Sequence, residues 1–136
     1  MLPTIFQYAH GVSAIDSGYV RAHHAAIHFI VEDGRVAIVD TGTNESLPRV
    51  QAALQCMGLS AESVDYVILT HIHLDHAGGA GALMRAFANA RLVVHPRGAR
   101  HMADPSKLVA GAAAVYGAAE VRRMYGEILP IDSTRI

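Results

Sequence analysis

The sequence predicts an α/β (α+β) domain built on a mixed β-sheet flanked by helices. Three observations predict it. The chain has 136 residues, 51% of them apolar and 17% charged, which is enough for one core. Its first forty residues hold short apolar runs joined by turn residues, the pattern of paired strands. Beyond them, segments with apolar residues at helical spacing alternate with short strand-like runs. Strand pairs followed by helix, strand, helix, strand are the order of a mixed sheet with helices packed on it.

In order, Ile5 to Tyr8 and Val12 to Ile15 read as strands on either side of His10-Gly11. Ala25 to Val31 and Val36 to Asp40 form the clearest hairpin, because Asp33-Gly34 between them supplies the positive φ angles of a tight turn. A polar loop follows Asp40-Thr41-Gly42. Leu47 to Met57 then places Val50, Ala53, Leu54 and Met57 at helical spacing, and Gly58 ends the pattern. Val64 to Thr70 is a strand whose near-continuous apolarity predicts burial on both faces. Gly81 to Phe87 reads as a helix, Leu92 to His95 as a strand and Pro96-Arg97-Gly98 as a turn. Ser106 is placed to cap a helix running to about Tyr116, with Gly117 as a break before a short helix ending near Gly126. Tyr116 and Tyr125 are expected in the core, and the Ala-rich stretch from Val109 to Ala119 is expected to pack closely against a partner, with a helix outside these 136 residues as the candidate.

A net charge of −1 with dispersed Lys and Arg offers no stripe for a phosphate backbone, so nucleic acid is not expected as a partner. The single cysteine, Cys56, permits no internal disulfide, fits a reducing cytoplasm and is expected to be buried on a helix. Met1-Leu2-Pro3-Thr4 lacks the basic stretch and apolar run of a signal peptide. The most apolar segment, Val109 to Ala119, is too short to span a bilayer, so no membrane association is expected.

The chemistry concentrates in Thr70-His71-Ile72-His73-Leu74-Asp75-His76-Ala77-Gly78-Gly79, which puts three imidazoles and a carboxylate within six residues at the end of a strand. If His71 and His73 leave the strand in extended backbone, they point the same way and their nitrogens can converge on one ion. Asp75 and His76 can address a second ion as the chain turns. The small residues after Ala77 let the next helix begin close to the site. Imidazole with carboxylate suits zinc, with iron or manganese as alternatives, and one or two ions are expected. A metal so held lowers the pKa of bound water and polarises a carbonyl, and Asp75 is the catalytic candidate that orients the resulting hydroxide. Asp40, before Thr41-Gly42, either caps a turn or buttresses the metal-binding histidines through their second nitrogens.

Of the remaining histidines, His95 reads as a strand-end surface residue and His101 as a solvated turn residue. His23 and His24 read as edge residues, one of which can approach the cleft. His28 is expected to hydrogen bond to another layer, and His10 to sit in a turn.

The string from Thr70 to Gly79, with Val39-Asp40-Thr41-Gly42 about thirty residues upstream, resembles the metal-binding signature of the metallo-β-lactamase fold superfamily. The resemblance covers Ala25 to His95. It implies an αββα sandwich of two similar halves, with the metals in the cleft between its sheets. By resemblance, His71 and His73 serve the first metal, Asp75 and His76 the second, and Asp40 stands behind them. The family's later ligands have no counterpart after Gly79, so the chain, as one domain over residues 1–136, resembles the amino-terminal half only. The remaining ligands are then expected from a missing C-terminal half or from a second copy in a homo-oligomer. For the longer parent the resemblance implies a metal-dependent hydrolase that uses metal-bound hydroxide on an ester, thioester, lactone or similar bond of a small-molecule substrate. An iron-dependent oxidoreductase resembling the persulfide dioxygenases is the alternative, and a metal-binding half domain without activity is the third reading.

Overall fold

Asp33 (φ 50°) and Gly34 (φ 73°) both take the left-handed conformation that a two-residue hairpin turn needs. They join β3 (Ala26–Glu32) to β4 (Arg35–Val39) with Glu32 opposite Arg35. The structure, a computed structural model, describes residues 2–136; Met1, which begins the amino-terminal segment considered above, lies outside the described residues. β1 (Phe6–Gln7) and β2 (Val12–Asp16) complete an antiparallel run on one side of the hairpin. On the other, β5 (Val64–Ile68) and β6 (Arg91–Val93) pair in parallel with β4 and with each other. The result is one six-stranded sheet in the order β1-β2-β3-β4-β5-β6, mixed as the sequence predicts.

Parallel strands need crossovers, and helices supply them. α1 (Leu47–Cys56) links β4 to β5 and is entered through a helical turn at Asn44–Ser46 with a proline in its own first turn. α2 (Leu74–Ala77) and α3 (Ala80–Ala86) link β5 to β6. α4 (Pro96–Ala103), α5 (Ser106–Tyr116) and α6 (Ala118–Tyr125) follow. Val50, Ala53 and Leu54 of α1, Leu83 and Met84 of α3, and Met102 of α4 pack with Ile27, Phe29, Ile38, Val67 and Leu92 in a single core on one face of the sheet. Among the described residues, no helix is long and apolar enough to cross a membrane.

Among the described residues, nothing forms a layer on the other face of the sheet. Cross-strand partners put Phe6, Ala14, His28, Val39, Ile68 and Val93 in one row, and Val12, Ile30, Ala37, Tyr66 and Arg91 in the next. Ile30, Tyr66 and Val93 in these rows are 41%, 48% and 44% exposed. The expected burial of β5 on both faces is therefore corrected. Val64 and Val67 are fully covered, whereas Tyr66 on the opposite face meets solvent, because a run of apolar residues cannot say whether this chain supplies both layers. His28 lies in the same bare row, and no hydrogen bond of its side chain to another layer is seen among the described residues.

Five local expectations also change. Cys56 is exposed, since it sits on the side of α1 away from Val50 and Leu54. Pro96-Arg97-Gly98 begins α4 rather than a turn. The proline suits the first helical position, and His95 Nδ1 accepts from the Arg97 N–H at 3.1 Å. His101 consequently lies on a helix and is half-buried. Tyr125 is buried as expected, but Tyr116 is 54% exposed, and no residue of α5 is fully buried, its Ala-rich surface meeting α6 on one side only. Ser106 is the first residue of α5, and its N–H is capped by the Asp104 carboxylate at 3.1 Å.

Candidate metal centre

The register Val39 opposite Ile68 brings β4 and β5 to an end side by side. Asp40 continues the pairing with its N–H to the Ile68 carbonyl at 2.8 Å, then turns through a left-handed φ of 62°, a conformation that Asp tolerates better than most residues. This turn tips the buried Asp40 carboxylate toward the start of the adjacent chain. There it accepts the Thr70 N–H and the Thr70 hydroxyl, each at 2.9 Å.

The backbone after Thr70 is drawn back across the end of β4. The Thr41 N–H and hydroxyl both donate to the His76 carbonyl, at 2.7 and 2.8 Å. The Gly79 N–H donates to the Gly42 carbonyl at 3.0 Å. Position 79 admits no side chain, because a Cβ there would stand 2.6 Å from the Thr43 carbonyl oxygen and 2.7 Å from that of Thr41. The glycines read as clearance for the next helix therefore give clearance for main chain against main chain.

These bonds gather the histidines. The His76 ring Nδ1 lies 3.1 Å from Asp40 Oδ2, and the His71 Nδ1 lies 2.8 Å from the Thr70 hydroxyl. Donor and acceptor roles follow from the inventory of each group. A carboxylate only accepts, so His76 Nδ1–H donates to Asp40, and the one hydroxyl hydrogen of Thr70 is given to Asp40 as well. The Thr70 oxygen then accepts from His71 Nδ1–H. Asp40 thus orients His76 directly and His71 through Thr70, and both rings keep Nε2 free.

The rings themselves stand close together. The rings of His71 and His76 are 4.3 Å apart and those of His71 and His73 5.0 Å. One ligating atom each from Asp40, His71 and His76 lies within 4.8 Å of the others. His76 Nε2 is also 3.3 Å from Asp75 Oδ2. Two ligands about 2.0–2.1 Å from a tetrahedral ion stand about 3.3 Å apart, so His76 and Asp75 already have the separation of partners on one metal. The donor set, imidazole nitrogens with carboxylate oxygens, fits zinc, iron or manganese. His71 and His73 are exposed, and Asp75 and His76 half-buried, so the cluster opens to solvent at the carboxyl ends of the strands.

A cavity of about 370 Å³ adjoins it, with His73 and Asp75 on one side and His24, Tyr19, Tyr116 and Tyr125 on the other. Tyr19 and Tyr125 stack with ring centroids 5.8 Å apart, and their hydroxyls are 3.2 Å apart. Burial, and secondarily the Tyr19 hydroxyl, push the Tyr125 phenol up, so it remains a protonated donor at neutral pH. Of the two histidines read as edge residues, His24 is the one that reaches the cleft. Nothing local in the sequence singles out Thr70 or Thr41 for this role. The available signal was their register, since each is the first hydroxyl residue beyond a paired strand end.

A family model described as the metallo-beta-lactamase superfamily matches residues 20–134 of this chain. Among solved structures, a metallo-beta-lactamase from Cronobacter sakazakii with a HARLDQ motif is 25% identical, with a TM-score of 0.62 over 75% of this chain and 38% of its own. A class B3 di-zinc metallo-beta-lactamase from an Alaskan soil metagenome is 22% identical, with a TM-score of 0.63 over 76% of this chain and 37% of its own. The Rm3 metallo-beta-lactamase is 26% identical, with a TM-score of 0.61 over 73% and 35%. The chain spans little more than a third of the length of these structures. No match is found among curated proteins.

Proposed function

Since the chain belongs to the metallo-beta-lactamase superfamily, we propose that it supplies the first part of a metal-dependent hydrolytic centre, acting in its longer parent on an ester, thioester, lactone or similar bond of a small molecule. The observation that carries this reading is the gathering of Asp40, His71 and His76 within 4.8 Å, with Asp75 beside His76. His71, His73, Asp75 and His76 would hold zinc, as one ion or two. When bound, the metal supplies Lewis-acid polarisation of a carbonyl and a water acidic enough to be a nucleophile at neutral pH.

The rest is done by this chain's own groups. Asp40 keeps His76 Nδ1 protonated and His71 facing the same space through Thr70, so both imidazoles present Nε2 without reorganisation. Asp75 is placed to take up or orient a proton at Oδ2. The Tyr125 hydroxyl offers a donor across the adjoining cavity.

Asp40→Asn tests the orientation. An amide nitrogen facing His76 Nδ1 would make that nitrogen the acceptor and leave the hydrogen on Nε2, where the metal should bind. Zinc affinity measured by competition with a chromogenic chelator is expected to fall about 10–100-fold, the usual cost of losing an outer partner. Folding, read by circular dichroism, should be retained, because Asn also accepts a left-handed φ.

The reading as a whole is tested by elemental analysis of the purified 136-residue protein, with its mass in solution measured alongside. One or two zinc ions per chain, removed by chelation, is the expected result. Retained metal in a dimer would mean that a second copy completes the coordination. A folded monomer that holds no metal at micromolar zinc would overturn the assignment.

A further inference from the structure

A second cavity, of about 800 Å³, lies beyond His71 between the ends of β5 and β6 and the helix α4. Its character differs from that of the tyrosine-lined cleft. Arg97, Arg100 and His101 line it, and they stand at positions i, i+3 and i+4 of one helix, so they share a face. The other face of α4, with Gly98 and Met102, is buried. The helix can come this close only because position 98 is glycine. A Cβ there would lie 2.9 Å from Ile72 Cγ2 and 3.0 Å from Val94 Cγ2. Packing thus seats the helix on the strand ends and commits its basic stripe to the cavity.

Three further features act in the same direction. The N-terminus of α4, with its partial positive charge, opens beside the cavity at His95 and Pro96. None of the lining side chains is acidic. Among the described residues, neither Arg97 nor Arg100 takes part in an ion pair, whereas Arg35 and Arg123 each do. Two guanidinium groups on one helix face, both exposed, present a local excess of positive charge that an anion in the cavity would offset. The rest of the lining joins apolar Leu69, Ile72, Val94 and Pro96 to Thr70, His71 and His95.

We propose that this cavity binds the anionic end of a small molecule, a carboxylate or phosphate carried on a short apolar segment, through Arg97 and Arg100. The proposal rests on the hydrolytic reading for its meaning, since His71 lines the cavity and the bound anion would sit one side chain from the metal cluster. A substrate would then be held by its charged end here while its scissile carbonyl reaches His71 and His76. The binding itself is independent of that reading and is measured without metal.

The experiment titrates the metal-free chain at pH 7 with valerate, n-butyl phosphate and n-pentanol, following backbone amide signals by NMR. Saturable shifts at Arg97, Gly98 and His101 with either anion, and none with the alcohol, are expected, and the tighter anion identifies the headgroup. The double variant R97Q/R100Q should weaken that binding about tenfold or more, because each charge-assisted contact is stronger than a neutral one. K107Q removes a nearby charge outside the cavity and should leave it unchanged. Both variants alter exposed side chains, so folding is checked by an unchanged thermal midpoint. The proposal is overturned if the shifts map to Asp40, His71 and His76, if the alcohol binds equally, if R97Q/R100Q binds like the parent, or if neither anion binds. Failure here would leave the zinc measurement untouched, and a chain that bound anions but no zinc would retain this site and lose the hydrolytic one.

Discussion

Replacing His76 by alanine is expected to lower zinc affinity by more than about 100-fold, beyond the loss that follows from removing an outer partner. His76 is the hinge of the cluster. Its Nδ1 meets Asp40, its Nε2 faces Asp75, and its ring lies 4.3 Å from that of His71. Removing it empties the space between the two carboxylates and takes away the N–H that Asp40 Oδ2 accepts. His71→Ala and His73→Ala should also reduce bound metal sharply. His101→Ala, in the second cavity beyond His71 and outside the histidine string, should not. Zinc content by elemental analysis after dialysis distinguishes the cases, and equal content in all four variants would mean that the metal sits elsewhere.

Phe29→Ala should be the most destabilising single change in the sheet, at about 3–5 kcal/mol. Phe29 is fully buried at the centre of β3, opposite Ser13 on one side and Ile38 on the other. Truncation there loses the transfer energy of the ring and opens a cavity that rigid neighbouring strands cannot close. Against a total stability of about 5–15 kcal/mol, such a loss unfolds a large fraction of the molecules. Ile30, the next residue, points to the bare face at 41% exposure, and Ile30→Ala should cost about 1 kcal/mol or less. Urea midpoints at constant slope measure both. Equal costs would mean that the second face is covered in solution.

That contrast also marks how far the sequence could be read. The β3–β4 hairpin was legible because Asp-Gly is one of few pairs that accept two positive φ angles in succession. The α1 helix was legible because Val50, Ala53 and Leu54 repeat at its period. The histidine string was legible because its chemistry is local. Burial on the second face of β5 was not, since Tyr66 and Ile68 are apolar whether or not the covering layer belongs to this chain. Pro96-Arg97-Gly98 misled for a related reason. Proline and glycine mark turns on local grounds, whereas here one starts a helix and the other yields room to Ile72 and Val94, contacts that no local pattern records. The threonine relay was hidden for the same cause. Thr70 acquires its role only from the register that sets it beside Asp40, 30 residues earlier.

The bonds from Asp40 and Thr41 to His76 span 36 and 35 residues of chain, and they close only when β4, α1 and β5 have come together. Before that moment the histidines are loose chelators with no common orientation. Under the proposed metal reading, ion capture would be a late event of folding, and the free energy of coordination would hold the crossover shut. The metal, on this view, is as much the final fastening of the polypeptide as the instrument of its chemistry.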